Sequence, residues 1–155
     1  MTVRELDTVE VLTAVMEALK ADLADGPDLP DIDMPREAVT GSAVIRATES
    51  GMLGGLPVAR ETYRRLGVRM RPLKEEGSAL AAGDRVAQVG GSVKAILTGR
   101  RTALRFLERL SAIASGAVEP DPTDPLETYA ASLRDESATP SVGQNGPRFE
   151  LEVEG

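Results

Sequence analysis

The sequence predicts an α+β domain in which helices pack on an antiparallel sheet, and three patterns carry that prediction. The first is Thr98–Ser115, TGRRTALRFLERLSAIAS, the stretch around which the rest of the chain is organised. At ~100° per residue, Ala103, Phe106, Leu107, Leu110, Ile113 and Ala114 share one helical face, with Arg101, Arg105 and Glu108 opposite. The second is a series of short β-branched runs between Gly41 and Leu97, punctuated by glycine-bearing turns. The third is an N-terminal segment whose Leu6, Val9, Leu12, Val15, Met16, Leu19 and Leu23 make another helical stripe.

Residues 2–23 read as the first helix, with Thr2 and Glu5 at the spacing of a capping box. Asp25–Pro35 (DGPDLPDIDMP) carries three prolines and four aspartates and cannot continue a helix. Its aspartates have the chemistry to bind a hard cation, but solvated side chains are the simpler reading. Gly41–Ala47 (GSAVIRA) is a strand, Glu49–Gly51 a turn, and Met52–Leu56 a short strand closing in glycines. Pro57 suits a first helical position, so Pro57–Leu66 is a helix ended by Gly67. Gly54-Gly55 ahead of that helix is either a phosphate cradle or merely a tight turn.

Val68–Leu73 is the next strand, with Arg69 and Arg71 on one face. Turns at Glu75–Ser78 and Ala81–Asp84 lead to a strand Arg85–Val89 and a further turn at Gly90-Gly91. Ser92–Leu97 is then a strand entering the Thr98–Ser115 helix, which Thr98 caps and Gly116 ends. Glycine-aspartate turns also occur in biotinyl and lipoyl carrier domains, but Lys94 lies mid-strand and not at a hairpin tip, so that reading is rejected. Residues 1–116 thus form the domain and 117–155 an acidic, proline-rich extension. Within the extension, Asp124, Pro125 and Glu127 signal a short helix over 124–134. Ser137–Pro147 is flexible by composition, and FELEVE gives an edge strand over 148–154, or no structure.

Composition excludes much chemistry. The chain has no Cys and no His, which removes disulfides, zinc-thiolate sites, Cys and His nucleophiles and His general bases. No cofactor or metal site is expected. No apolar run approaches the ~18 residues of a membrane span, and no secretory signal follows Arg4, so the expected location is cytoplasmic and off the membrane. The net charge of −7 is unevenly spread: Arg36–Arg109 holds 14 basic against 7 acidic residues, the two flanks 4 against 18. Such flanks repel a phosphate backbone, so nucleic acid is not an expected partner. A small carboxylate or phosphate held by aimed arginines fits the basic body, and so do acidic ends folded back upon it. Arg100 and Arg101 would stand at the positive end of the helix dipole, and Arg101–Arg105 and Arg105–Arg109 are like-charged i,i+4 pairs, each costing a few tenths of a kcal/mol. That apparent strain marks Arg100, Arg101 and Arg105 as candidate anion ligands, a solvated arginine face being the alternative.

Three segments in order carry a resemblance to a known family. Glu49–Ala59 (ESGMLGGLPVA) is similar to E-x-G-x-L-x-G-L-P-V-A, and Ala82–Val86 to a G-D-x-V turn. Leu97–Ser115 resembles L-L-x-x-E-R-T-A-L-N-F-L-x-R-L-S-G-I-A-T. Together they resemble the N-terminal domain of quinolinate phosphoribosyltransferases, the nicotinate-nucleotide pyrophosphorylases (carboxylating) of NAD biosynthesis. The resemblance implies an open-faced sandwich of helices on an antiparallel sheet, followed by an α/β barrel holding most of the active site. It also implies head-to-tail pairing in which this domain caps the partner's barrel, with Arg101 in the place of an active-site arginine.

The departures are specific. Arg100 stands where the family has Glu, Arg105 where it has Asn, and Asp31-Ile32-Asp33-Met34 where it has Asp-Leu-Thr-Thr. Only 40 residues follow Ser115, against the ~200 of a barrel, so the chain is not expected to transfer phosphoribosyl groups alone. Two functions remain open. One is the cap of a split or derived enzyme, as a homo-oligomer or in a hetero-complex with a barrel subunit. The other is a repurposed, non-catalytic binding or assembly module.

Overall fold

The computed structural model describes residues 7–24, 39–134 and 146–154; the Thr2–Glu5 capping box, the Asp25–Pro35 loop and most of the Ser137–Pro147 segment lie outside them. Helix α1 (Thr8–Ala24) begins where the Asp7 carboxylate accepts a hydrogen bond from Val9 N at 2.8 Å. Its buried row is Val11, Val15 and Leu19. Val9, Met16 and Leu23, expected to face inward, are 69%, 50% and 44% exposed. The apolar arc of α1 is wider than the surface that the other helices cover, so only the row spaced by four residues meets the core.

Strand β1 (Thr40–Ala47) is followed by β2 (Gly51–Met52), helix α2 (Leu56–Arg64), and strands β3 (Arg69–Pro72), β4 (Ala79–Leu80) and β5 (Arg85–Ser92). Then come helices α3 (Val93–Ala114) and α4 (Pro125–Ala131) and strand β6 (Phe149–Glu154). The main sheet has the order β3-β5-β1-β6, with antiparallel neighbours throughout, and β2 pairs separately with β4. The expected strand Met52–Leu56 is therefore shorter, and β4 was not legible. Gly90-Gly91 is not a turn. Both residues continue β5, because Ser42 and Gly41 across the ladder supply their partners.

Helix α3 begins five residues before Thr98, at Val93. Ser92–Leu97 is not a strand: Ser92 caps a helix by accepting from Ala95 N at 3.3 Å, and Thr98 merely donates back to the Lys94 carbonyl at 2.7 Å. The alternation of Val93, Ala95 and Leu97 is overridden by the packing of α3 on α2. There Tyr63, fully buried, donates its hydroxyl to the Ile96 carbonyl at 3.0 Å. Gly99 faces this ring, and a Cβ there would lie 2.9 Å from Tyr63 Cε1 and 2.7 Å from Leu66 Cδ1. Arg100 and Arg101 consequently sit two turns inside α3, and the dipole cost expected of them does not arise.

Helices α2 and α3 pack on the sheet, and α1 and α4 pack on those helices. Ile45, Leu53, Tyr63, Val86, Val89, Ile96 and Leu107 form one apolar cluster, while Val15, Val58, Leu110, Ile113, Leu126 and Ala130 form a second under α1 and α4. Asp124 caps α4 by accepting from Leu126 N at 2.9 Å, and β6 lies on β1 with Leu151 opposite Ile45. Among the described residues no helix is long and apolar enough to cross a membrane.

An acid from each flank pairs with the basic body. Asp22, 7% exposed, accepts from Thr102 Oγ1 at 2.5 Å and pairs with Arg105 at 2.9 Å. Glu127 receives Arg109 through two hydrogen bonds of 3.0 and 2.9 Å, and Asp121 N at 2.9 Å. The Arg109 hydrogen bonds hold the Glu127 carboxyl below its ordinary range, against a smaller opposing push from burial. The like-charged row along α3 is thus compensated from both ends of the chain.

Three tests follow from this architecture. Ser92→Ala should cost about 0.5–2 kcal/mol and Thr98→Ala no more than about 0.5 kcal/mol in urea denaturation; the reverse order would return the helix start to Thr98. Leu110, 2% exposed, should cost about 2–5 kcal/mol when changed to Ala, and an unchanged midpoint would remove it from the core. Because the folded pKa of Glu127 is depressed, its contribution exists above the unfolded carboxylate pKa and is lost as pH falls through the folded value. Glu127→Gln should therefore destabilise by up to about 1 kcal/mol at neutral pH, and the gap should close on acidification. A gap that stayed constant with pH would show that the charge pair contributes nothing.

Candidate anion-binding site on helix α3

Arg101, Arg105 and Arg109 follow one another at four-residue spacing along the outer side of α3. Arg101 is partly buried and Arg105 exposed. Arg105 is one wall of a hollow of about 220 Å³, completed by Glu108, Arg109, Ala112, Val118, Pro147 and Arg148. Arg148 arrives from beyond α4, and sequence spacing gave no signal of it. Glu108 is committed here in part, its carboxylate accepting from Phe149 N at 3.3 Å. Arg100 projects elsewhere: its positive charge acts on Tyr63, whose phenol burial nonetheless pushes above the ordinary range. The three candidate arginines therefore do not converge on one point. Arg101 and Arg105 share a face, while Arg100 lies about a quarter-turn around the helix from Arg101.

The Gly54-Gly55 turn resolves in favour of packing. A Cβ on Gly54 would lie 2.8 Å from the Leu110 carbonyl oxygen, so the turn lies directly against the α3 backbone. Gly55, in the left-handed region at φ 96°, opens α2. Its N–H and that of Leu56 donate to the Glu76 carboxylate at 2.9 and 3.1 Å. The helix terminus thus already holds an anion, supplied by the chain itself. The Tyr129 hydroxyl donates to the same carboxylate at 2.5 Å. Burial pushes the Glu76 carboxyl above its ordinary range, and the bonds from Tyr129, Gly55 and Leu56 pull the other way without cancelling it. Ser111 Oγ receives Gly54 N at 2.9 Å and donates to the Gly54 carbonyl at 3.0 Å, while Ser115 Oγ receives Met52 N at 2.7 Å. Among the described residues no group of His, Cys, Asp and Glu is placed to hold a metal ion.

Comparison with known proteins agrees with this architecture. Residues 31–111 match the family described as Quinolinate phosphoribosyl transferase, N-terminal domain. The nicotinate-nucleotide pyrophosphorylase (carboxylating) of Rattus norvegicus is 40% identical over 83 residues, 51% of this chain and 28% of that one. The corresponding protein of Homo sapiens is 34% identical over 93 residues, 60% of this chain and 31% of its own. The chain thus spans under a third of the length of these curated relatives. Among solved structures, NadC from Streptococcus pyogenes superposes with a TM-score of 0.69 at 24% identity, over 84% of this chain and 53% of that one. The nicotinate-nucleotide pyrophosphorylase from Francisella tularensis gives 0.62 at 23%, over 77% and 44%. These likenesses show the fold: helices on an antiparallel sheet. The matched span takes in more than half of the chain, including the Gly54-Gly55 turn and Arg101, and on it the chain belongs to the quinolinate phosphoribosyltransferase N-terminal-domain family.

Proposed function

We propose that this domain is the cap of a quinolinate phosphoribosyltransferase-type enzyme, completing an anion-binding site on a barrel supplied by a partner subunit. The observation that carries the reading is Arg101. It falls within the family match and stands on the outer side of α3, one turn from Arg105. A guanidinium there meets a carboxylate or phosphate through two parallel hydrogen bonds, a geometry that lysine's point charge does not reproduce. Arg105 plays a supporting part, because Asp22 already holds one of its nitrogens. The domain acts within a homo-oligomer or a hetero-complex.

The second reading, a non-catalytic assembly module, is favoured by that same Asp22–Arg105 pair. Where the family has Asn, this chain has an arginine turned to an internal acid, which diverts part of the anion face to holding α1 on α3. The two readings differ in what Arg101 does. In the complex isolated with its barrel, Arg101→Ala should weaken binding of quinolinate at least tenfold by calorimetry, and Arg101→Lys should lose less. The isolated chain should meanwhile keep its stability within about 1 kcal/mol. Quinolinate affinity unaltered by Arg101→Ala would eliminate the cap assignment and leave the assembly module.

A further inference from the structure

A second arginine cluster lies on another part of the surface, where α2 runs beside the edge strand β3. Arg60 and Arg64 are exposed on α2, one turn apart; Arg69 and Arg71 are exposed on β3, two residues apart and so on one face of the strand. The four line one groove of about 620 Å³, floored by Met70 and Pro72 and bounded by Gln88. A neighbouring groove of about 510 Å³ shares Arg60, Arg64 and Pro72 but is lined by Glu61, Glu75 and Glu76 as well as Lys74, so the positive character is concentrated in the first groove. On α3, Arg105 and Arg109 are answered by Asp22 and Glu127. In the groove, by contrast, the one acid ion-paired to an arginine is Glu61, at 2.9 Å from Arg64, among the described residues. Arg60, Arg69 and Arg71 have no ion pair among the described residues.

Four guanidiniums gathered around one concavity repel one another, and a multivalent anion removes that cost. We propose that this groove binds a small ligand carrying two or more phosphate or carboxylate groups. Size and charge both favour a small molecule. The volume falls within the ~300–1,000 Å³ of small-ligand sites, and each guanidinium offers a bidentate face to such a group. The chain's net charge of −7 opposes a long polyanion. An added β-strand is disfavoured as well, since Pro72 ends the free edge of β3 without an N–H to donate. The site is separate from Arg101 and does not rest on the cap assignment.

The test uses the full chain and three probes at low salt: tripolyphosphate, citrate and poly-glutamate, titrated by calorimetry and by chemical-shift perturbation. Tripolyphosphate, citrate or both should bind, with shifts centred on β3 and α2, and the better probe identifies phosphate or carboxylate as the preferred group. Arg69→Glu/Arg71→Glu should weaken that binding at least tenfold, while Lys20→Glu on α1 leaves it within twofold. Both β3 positions are exposed, so the melting temperature should hold; Arg60→Ala/Arg64→Ala on α2 gives the same readout from the other wall. No binding by either small anion, binding indifferent to both double variants, or binding of poly-glutamate alone would overturn the proposal.

Discussion

The fold depends on how closely the Gly54-Gly55 turn approaches helix α3. With 2.8 Å between an ideal Gly54 Cβ and the Leu110 carbonyl, any side chain there would push α2 and the β2 turn off the helix. Close contact brings polar backbone into the interior, where an unmet N–H or C=O costs about 1–3 kcal/mol. Ser111 and Ser115 meet Met52 and Gly54, and Glu76 meets Gly55 and Leu56. Tyr129 then ties α4 to the same carboxylate. One steric allowance therefore fixes the relative places of β2, α2, α3 and α4, with Leu110 and Val58 buried in a common cluster.

Charge is organised around the same helix. Arginines every fourth residue along α3 would destabilise it in isolation, and the chain answers them with acids drawn from both flanks. Asp22 is the more telling partner, since a carboxylate 7% exposed requires its bonds to Thr102 and Arg105. It turns the apolar row of α1 into a docking face with a fixed register. Arg109 and Glu127 do the same for α4 from the other side. A second basic feature, the groove of α2 and β3, stands apart from this helix. The net charge of −7 conceals both.

The sequence by itself determined the class and most of the elements. Period-two alternation in Gly41–Ala47, proline at the start of α2 and α4, and the Asp124 cap are local signals, decided within a few residues, and each corresponds to an element of the structure. The α3 stripe was likewise legible, because burial of Ala103, Leu107, Leu110 and Ile113 follows a period that the residues state themselves. Motif spacing carried the family.

Only the tertiary structure decided the rest. Val93–Leu97 alternates like a strand, and nothing local distinguishes Ser92 from Thr98 as the cap; the contact with Tyr63 at Gly99 does. The helix-dipole cost read into Arg100 and Arg101 vanished with that shift. Two glycines that look like a turn became ladder residues of β5 because β1 lies alongside them. Gly54-Gly55 reads equally as an anion cradle or a tight turn until Glu76, 21 residues on from Gly55, takes the free N–H groups. Arg148 and the pairing of Asp22 with Arg105 are contacts between distant parts of the chain, as is the gathering of Arg60 and Arg64 with Arg69 and Arg71. Periodicity records which face of an element is apolar, but which elements meet across space depends on packing that no local window contains.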